Sequence, residues 1–200
     1  RWGEVEVHQL TRINRVTGSR LQQAWQTIPR VTQYDKSDIT TLESYRKESK
    51  TKAAELGVRV TFLPFLMKAV TVVLKEMPKF NSSLDHQGEN LVLKHYYNIG
   101  VAVDTPNGLT VPVVKNVDQK SVFELSKELE DLSKRARDKK LKPNEMQGST
   151  FTISSLGGIG GTAFSPIVNP PEVAIIGISR SEWKQVYNKK EKRFLTKYVM

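Results

Sequence analysis

Residues 148–172 read GSTFTISSLGGIGGTAFSPIVNPPE, and residues 173–178 continue VAIIGI. The alternation Phe151-Thr152-Ile153-Ser154 predicts a strand. Glycines at 157, 158, 160 and 161 then exclude a helix or a regular strand interior, because so dense a set marks unusual torsions or a close approach by another group. Asn169-Pro170-Pro171 ends any regular element, and residues 173–178 read as a fully apolar strand. A buried strand that feeds a serine pair and a glycine loop can build a site. It can equally be a surface connection between two strands.

Working outward, 200 residues suit one domain or a large part of one, and an apolar fraction of 38% suffices for a core. No run approaches the roughly 20 apolar residues of a membrane span. The start, Arg1-Trp2-Gly3-Glu4, lacks the apolar region of a signal peptide and resembles a cut inside a longer protein. The absence of cysteine excludes disulfides, thiol nucleophiles and cysteine-bound metal, and fits a cytoplasmic protein. The formal charge of +10 concentrates in 134–142 and 184–197. Without a helix-turn-helix or zinc-finger pattern this predicts a solvated basic surface and no nucleic-acid partner.

Before the central stretch, Glu4-Val5-Glu6-Val7 predicts a short strand and Thr11 caps a helix that Pro29 ends. Residues 31–37 predict a strand with one polar face. Asp38 caps a helix over 40–56 that stops at Gly57. Pro64 opens a helix over 65–77 whose wide apolar face, Phe65, Leu66, Ala69, Val70, Val73 and Leu74, predicts burial. Strands are expected over 91–95 and 97–104, a Pro-Asn-Gly turn at 106–108, and a strand over 109–114. Ser121 caps a helix to about residue 139 with Val122, Leu125, Leu129 and Leu132 on one face, and Pro143 starts a helical turn. Residues 183–187 and 193–196 predict two strands across Asn188-Lys189-Lys190. Hairpins mixed with helical crossovers imply an α/β class with a mixed sheet packed with helices.

The run FTISSLGGIGGTAFSPIVNPPEVAIIGISR closely resembles the dihydrolipoamide acyltransferases, the E2 components of the 2-oxo acid dehydrogenase complexes. IPRVTQYDKSDIT (28–40), KEMPKFNSSL (75–84), YYNIGVAVDTPNGLTVPVVKNVDQKS (96–121) and KKLKPNEMQGSTFTISS (139–155) carry the same resemblance, so it covers nearly the whole chain. Among these enzymes the sequence looks most like the acetyltransferases of bacterial pyruvate dehydrogenase complexes. The resemblance implies a chloramphenicol-acetyltransferase-like sandwich, assembled as trimers that build a cubic core, with the active site between neighbouring subunits. It implies acetyl transfer between coenzyme A and dihydrolipoamide. The lipoyl group would be carried on a domain upstream of these residues. Partners implied are other copies of the chain, and pyruvate dehydrogenase (E1) and dihydrolipoamide dehydrogenase (E3) through upstream domains. A structural scaffold role, or an E2 of succinyl or branched-chain specificity, is the alternative.

Acyl transfer between thiols needs a base for the attacking thiol and a donor for the oxyanion, and no metal. In the family the donor is the first serine of the ISS motif, here Ser154. A strand-end serine satisfying a backbone group is the ordinary alternative. The family's base comes from an HxxxDG motif, which His8, His86 and His95 do not match. The sequence ends at Met200, where the family's next strand begins, so truncation before that motif and an inactive fragment are expected. By motif match Arg46 contacts coenzyme A. A guanidinium fork suits phosphates, although an exposed helix charge is the plainer reading. The resemblance places Ser82, Ser83 and Asp104 along the coenzyme channel, and Phe164 as a further lining residue.

Overall fold

A computed structural model describes residues 2–106 and 108–200; Arg1, and Asn107 of the expected Pro-Asn-Gly turn, lie outside the described residues. The chain opens with an extended segment and helix α1 (Arg12–Thr27), capped by Thr11, whose hydroxyl accepts from the Asn14 N–H at 3.1 Å. Helix α2 (Thr40–Glu55) follows. Its N-cap is Ile39 rather than the expected Asp38. Asp38 still receives the Thr40 N–H at 3.0 Å. Gly57, at φ +64°, turns the chain out of the helix as expected, with the Val58 N–H reaching back to the Ala53 carbonyl at 2.9 Å. Helix α3 (Leu63–Glu76) has Pro64 in its first turn.

Short strands follow: β1 (Ser82–Leu84), β2 (Leu91–Leu93), β3 (Ile99–Val101), β4 (Val103–Thr105), β5 (Gly108–Thr110) and β6 (Val113–Val114). Helix α4 (Val122–Arg137) is closed by a capping box between Ser121 and Glu124. The expected turn at Pro143 is a 3₁₀ helix, Pro143–Met146. Then come β7 (Phe151–Ser155), β8 (Ile175–Ile178), β9 (Glu182–Asn188) and β10 (Arg193–Val199). The central sheet has the order β6-β3-β7-β8, with β6 antiparallel to β3 and the β3–β7 and β7–β8 pairs parallel. β1–β2, β4–β5 and β9–β10 are separate antiparallel hairpins.

The core lies between this sheet and the pair α3 and α4. Met67, Val70 and Leu74 of α3 meet Leu125, Leu129 and Leu132 of α4 over Ile99, Val101, Phe151 and Ile153. Each fully buried aliphatic side chain contributes roughly 1.5–3 kcal/mol. Asn98 pins this arrangement. Its side chain donates to the Gly148 carbonyl at 2.9 Å and accepts from the Asn116 N–H at 3.0 Å, while its carbonyl accepts from the Thr150 N–H at 2.8 Å.

Several sequence expectations are corrected. Residues 4–7 form no strand: Val5 and Val7 are exposed, and alternation cannot make a strand without a partner. Residues 31–36 are extended but unpaired. The backbone pairs only at Ser37, with Met200, and at Ile39, with Tyr198 of β10. The strand expected over 97–104 breaks at Ala102 into β3 and β4, and that over 109–114 breaks at Val111-Pro112, where proline removes a ladder donor. β1 was not expected. On α3, Ala69 and Val73 face outward rather than into the core, because α4 covers the face that carries Met67, Val70 and Leu74.

Candidate functional site

The alternation of β7 places Phe151 and Ile153 on the helix-covered core face, so Thr152 and Ser154 point to the other. Ser154 pairs with Gly177 of β8, and paired residues in a parallel ladder present the same face. On that face Phe164 takes the place a Gly177 side chain would fill: a Cβ there would meet Phe164 Cζ at 2.8 Å and Pro166 Cδ at 3.2 Å. Gly177 is therefore required by close approach. A glycine inside an apolar strand was the sequence signal for it. The Ser154 hydroxyl is half-buried and makes no hydrogen bond among the described residues.

The glycine loop begins where the Leu156 N–H extends the pairing to the Ile178 carbonyl at 2.9 Å. Gly160 and Gly161, at φ +112° and +94°, reverse the chain toward Phe164. The Ser165 and Thr32 hydroxyls bond at 2.6 Å, which joins the loop to the extended segment before α2. Together with β8 and α3 these segments wall a groove of about 1430 Å³, in which Phe164, Gly177, Phe65 and Leu66 contribute apolar surface. Ser154 is the strand neighbour of Gly177 but is not among the residues that line the groove.

The expected coenzyme residues are dispersed. Arg46 lines a different pocket, of about 590 Å³, between α2 and residues 58–62, with Lys50, Arg59, Thr61 and Tyr198. Its guanidinium is already engaged: Nε and Nη2 donate to the two Glu43 oxygens at 2.7 and 2.8 Å, and Nη1 to the Val60 carbonyl at 3.4 Å. Arg46 is thus no free helix charge. Its hydrogen bonds hold Glu43 below the usual carboxylate range, and Glu43 in turn raises Arg46. Ser82 is buried and its hydroxyl donates to the Lys79 carbonyl at 2.6 Å, a turn-closing role that leaves Ser83, half-buried, as the available hydroxyl of the pair. Asp104 is exposed between buried Val103 and Thr105.

His8 is exposed beside Glu6, His86 is in an exposed turn, and His95 is exposed beyond β2; none sits on β7 or β8. Glu43, now the partner of Arg46, had no assigned role in the sequence. Nor had Glu172, which is only 4% exposed. Burial pushes the Glu172 carboxyl up. The nearby Thr152 and Ser149 hydroxyls and the Asn169 amide, the last bonded at 3.3 Å, work against that shift. Burial wins because Glu172 Oε2 and Thr152 Oγ1 have no partner at hydrogen-bond geometry. No group of three or more His, Cys, Asp or Glu able to hold a metal, and no helix long and apolar enough to cross a membrane, occurs among the described residues.

Residues 3–200 match the pattern of the 2-oxoacid dehydrogenases acyltransferase catalytic domain. The chain is 54% identical over 193 residues to the dihydrolipoyllysine-residue acetyltransferase component of the Haemophilus influenzae pyruvate dehydrogenase complex, covering 96% of this chain and 34% of that protein. The Cupriavidus necator counterpart is 52% identical over 191 residues, with the same coverage. The chain thus spans about a third of the length of the curated relatives it matches. The solved structure of the Azotobacter vinelandii dihydrolipoamide acetyltransferase superposes with a TM-score of 0.96 at 48% identity, over 99% of this chain and 81% of that one. In that protein a serine, a histidine and an asparagine have been studied for their roles in catalysis. The cubic core of the pyruvate dehydrogenase multienzyme complex superposes with the same score, identity and coverage. A truncated catalytic core from Thermoplasma acidophilum gives 0.85 at 37% identity, over 98% of this chain and 86% of that one.

Proposed function

The chain belongs to the 2-oxoacid dehydrogenase acyltransferases, and from that premise we propose that it transfers an acetyl group between dihydrolipoamide and coenzyme A as the core of a pyruvate dehydrogenase complex. The observation that carries this reading is the Ser154 hydroxyl at the end of β7, half-buried, free of protein partners among the described residues, and backed by the Gly177–Phe164 contact.

A thiol gives its proton to a base and its sulfur attacks the thioester carbonyl. The tetrahedral oxyanion accepts a hydrogen bond from Ser154. Collapse breaks the original carbon–sulfur bond, and the departing thiolate takes the proton back. The base that the resemblance implies is the histidine of an HxxxDG motif, which none of His8, His86 and His95 matches. Coenzyme A is held through the Arg46 pocket, with Ser83, Asp104 and Phe164 toward the thiol. The lipoyl group arrives on a separate domain, and E1 and E3 join through further domains. The setting is cytoplasmic.

The acetyl-transfer assay from acetyl coenzyme A to dihydrolipoamide tests this on the 200 residues and on the intact protein. Transfer by the intact protein alone supports the reading. Transfer by the 200 residues moves the base to His86 or His95. Silence in both, with both folded, removes the activity and leaves the scaffold role. That role has its own support: Val5, Val7, Val31 and Phe194 expose apolar surface of the kind that copies of a self-assembling core bury against one another. Sedimentation as a trimer or larger particle is the corresponding result.

A further inference from the structure

Glu43 and Arg46 stand three residues apart on α2, a spacing that places both on one face of the helix. Their side chains are only 12% and 19% exposed, so water screens the pair little. The Glu43 carboxylate takes one edge of the guanidinium, Nε and Nη2, and the Val60 carbonyl takes an N–H of Nη1. A guanidinium has five N–H groups in one plane. Three are engaged, which leaves one on each terminal nitrogen, and both atoms belong to a residue that lines the pocket with Lys50 and Arg59. Two coplanar donors match two oxygens of a phosphate.

We propose that Glu43 is a positioning residue for phosphate recognition: it locks the Arg46 guanidinium plane in advance, so that the free N–H pair meets a phosphate of the coenzyme without further ordering. The inference rests on the coenzyme reading of this pocket. It predicts an effect opposite in sign to simple electrostatics. A carboxylate beside an anion site repels the anion, so removing its charge alone would tighten binding. If Glu43 supplies orientation, removing it loosens binding, because the long arginine side chain must then be ordered by the ligand itself.

The experiment is calorimetric titration of the intact protein with coenzyme A, using the unaltered chain, Glu43→Gln and Arg46→Met, with thermal unfolding of each to confirm an unchanged fold. The expected result is a Kd raised about 3–10-fold in Glu43→Gln, the usual cost of ordering one flexible side chain, and raised further in Arg46→Met. In turnover, Glu43→Gln raises KM for acetyl coenzyme A and leaves kcat unchanged, a split that general loosening of the fold does not produce. Equal or tighter binding by Glu43→Gln, with Arg46→Met weakened, overturns the positioning role and leaves the coenzyme site standing. Absence of coenzyme binding by the unaltered protein overturns both.

Discussion

The ring of Phe164 rests on the backbone of Gly177, with its Cζ 2.8 Å from where a Cβ would stand. Gly177 is the ladder partner of Ser154, so this contact ties the glycine loop to the proposed oxyanion donor. An Ala at 177 must displace this ring and would also crowd Pro166 Cδ, 3.2 Å from the new Cβ, and overpacking of this kind costs roughly 1–3 kcal/mol. Gly177→Ala is therefore expected to lower stability by that amount in chemical denaturation. Adding Phe164→Ala relieves most of the loss. A double-mutant cycle with no coupling would show that the two residues do not press on each other.

Ser154→Ala removes a donor whose proposed partner exists only in the transition state. In the intact protein kcat is expected to fall ~10²–10³-fold with KM for both substrates little changed. An unaltered kcat takes Ser154 out of the mechanism.

Asp38 joins the start of α2 to β10. Its carboxylate accepts the Thr40 hydroxyl and N–H and pairs with Lys197 at 2.9 Å, and these contacts, the Thr40 hydroxyl foremost, lower its pKa to about 2. A depressed folded value means the stabilisation is present above the unfolded value, near 3.9, and is lost as pH falls from about 4 to about 2. Asp38→Asn is expected to flatten the acid limb of the stability profile in that window. It should leave stability near pH 7 only slightly lower, because the site is exposed.

Glu172 carries the opposite sign. Burial raises its folded pKa, so the contribution to stability is full below the ordinary carboxylate value and is lost as pH rises through the folded one. Glu172→Gln keeps the shape and cannot ionise. Its melting temperature is expected to equal that of the unaltered protein in acid and to exceed it at alkaline pH. A variant less stable at every pH would mean that the carboxylate form is the one the site holds.

Much of this protein is legible in its sequence because its signals are local. The capping box at Ser121, the αL stop at Gly57 and the proline in the first turn of α3 depend on neighbours within a few residues. The same holds for the alternation that makes β7 and for the long motif blocks around Ser154 that identify the family. What tertiary structure alone decided involves partners distant along the chain. Residues 4–7 alternate in polarity and β1, Ser82-Ser83-Leu84, does not, yet only β1 is a strand, because β2 lies opposite it. Ala69 and Val73 of α3 read like core residues, and the position of α4 turns them outward. Ser82 and Ser83 are adjacent in sequence, but a carbonyl in the preceding turn takes one hydroxyl and leaves the other. Gly177 was visible as a glycine in an apolar strand, while its reason, Phe164 arriving over the loop, is a contact between segments that no local pattern encodes. Propensity and capping act over a turn of chain, whereas burial and pairing depend on which distant surface comes to lie alongside.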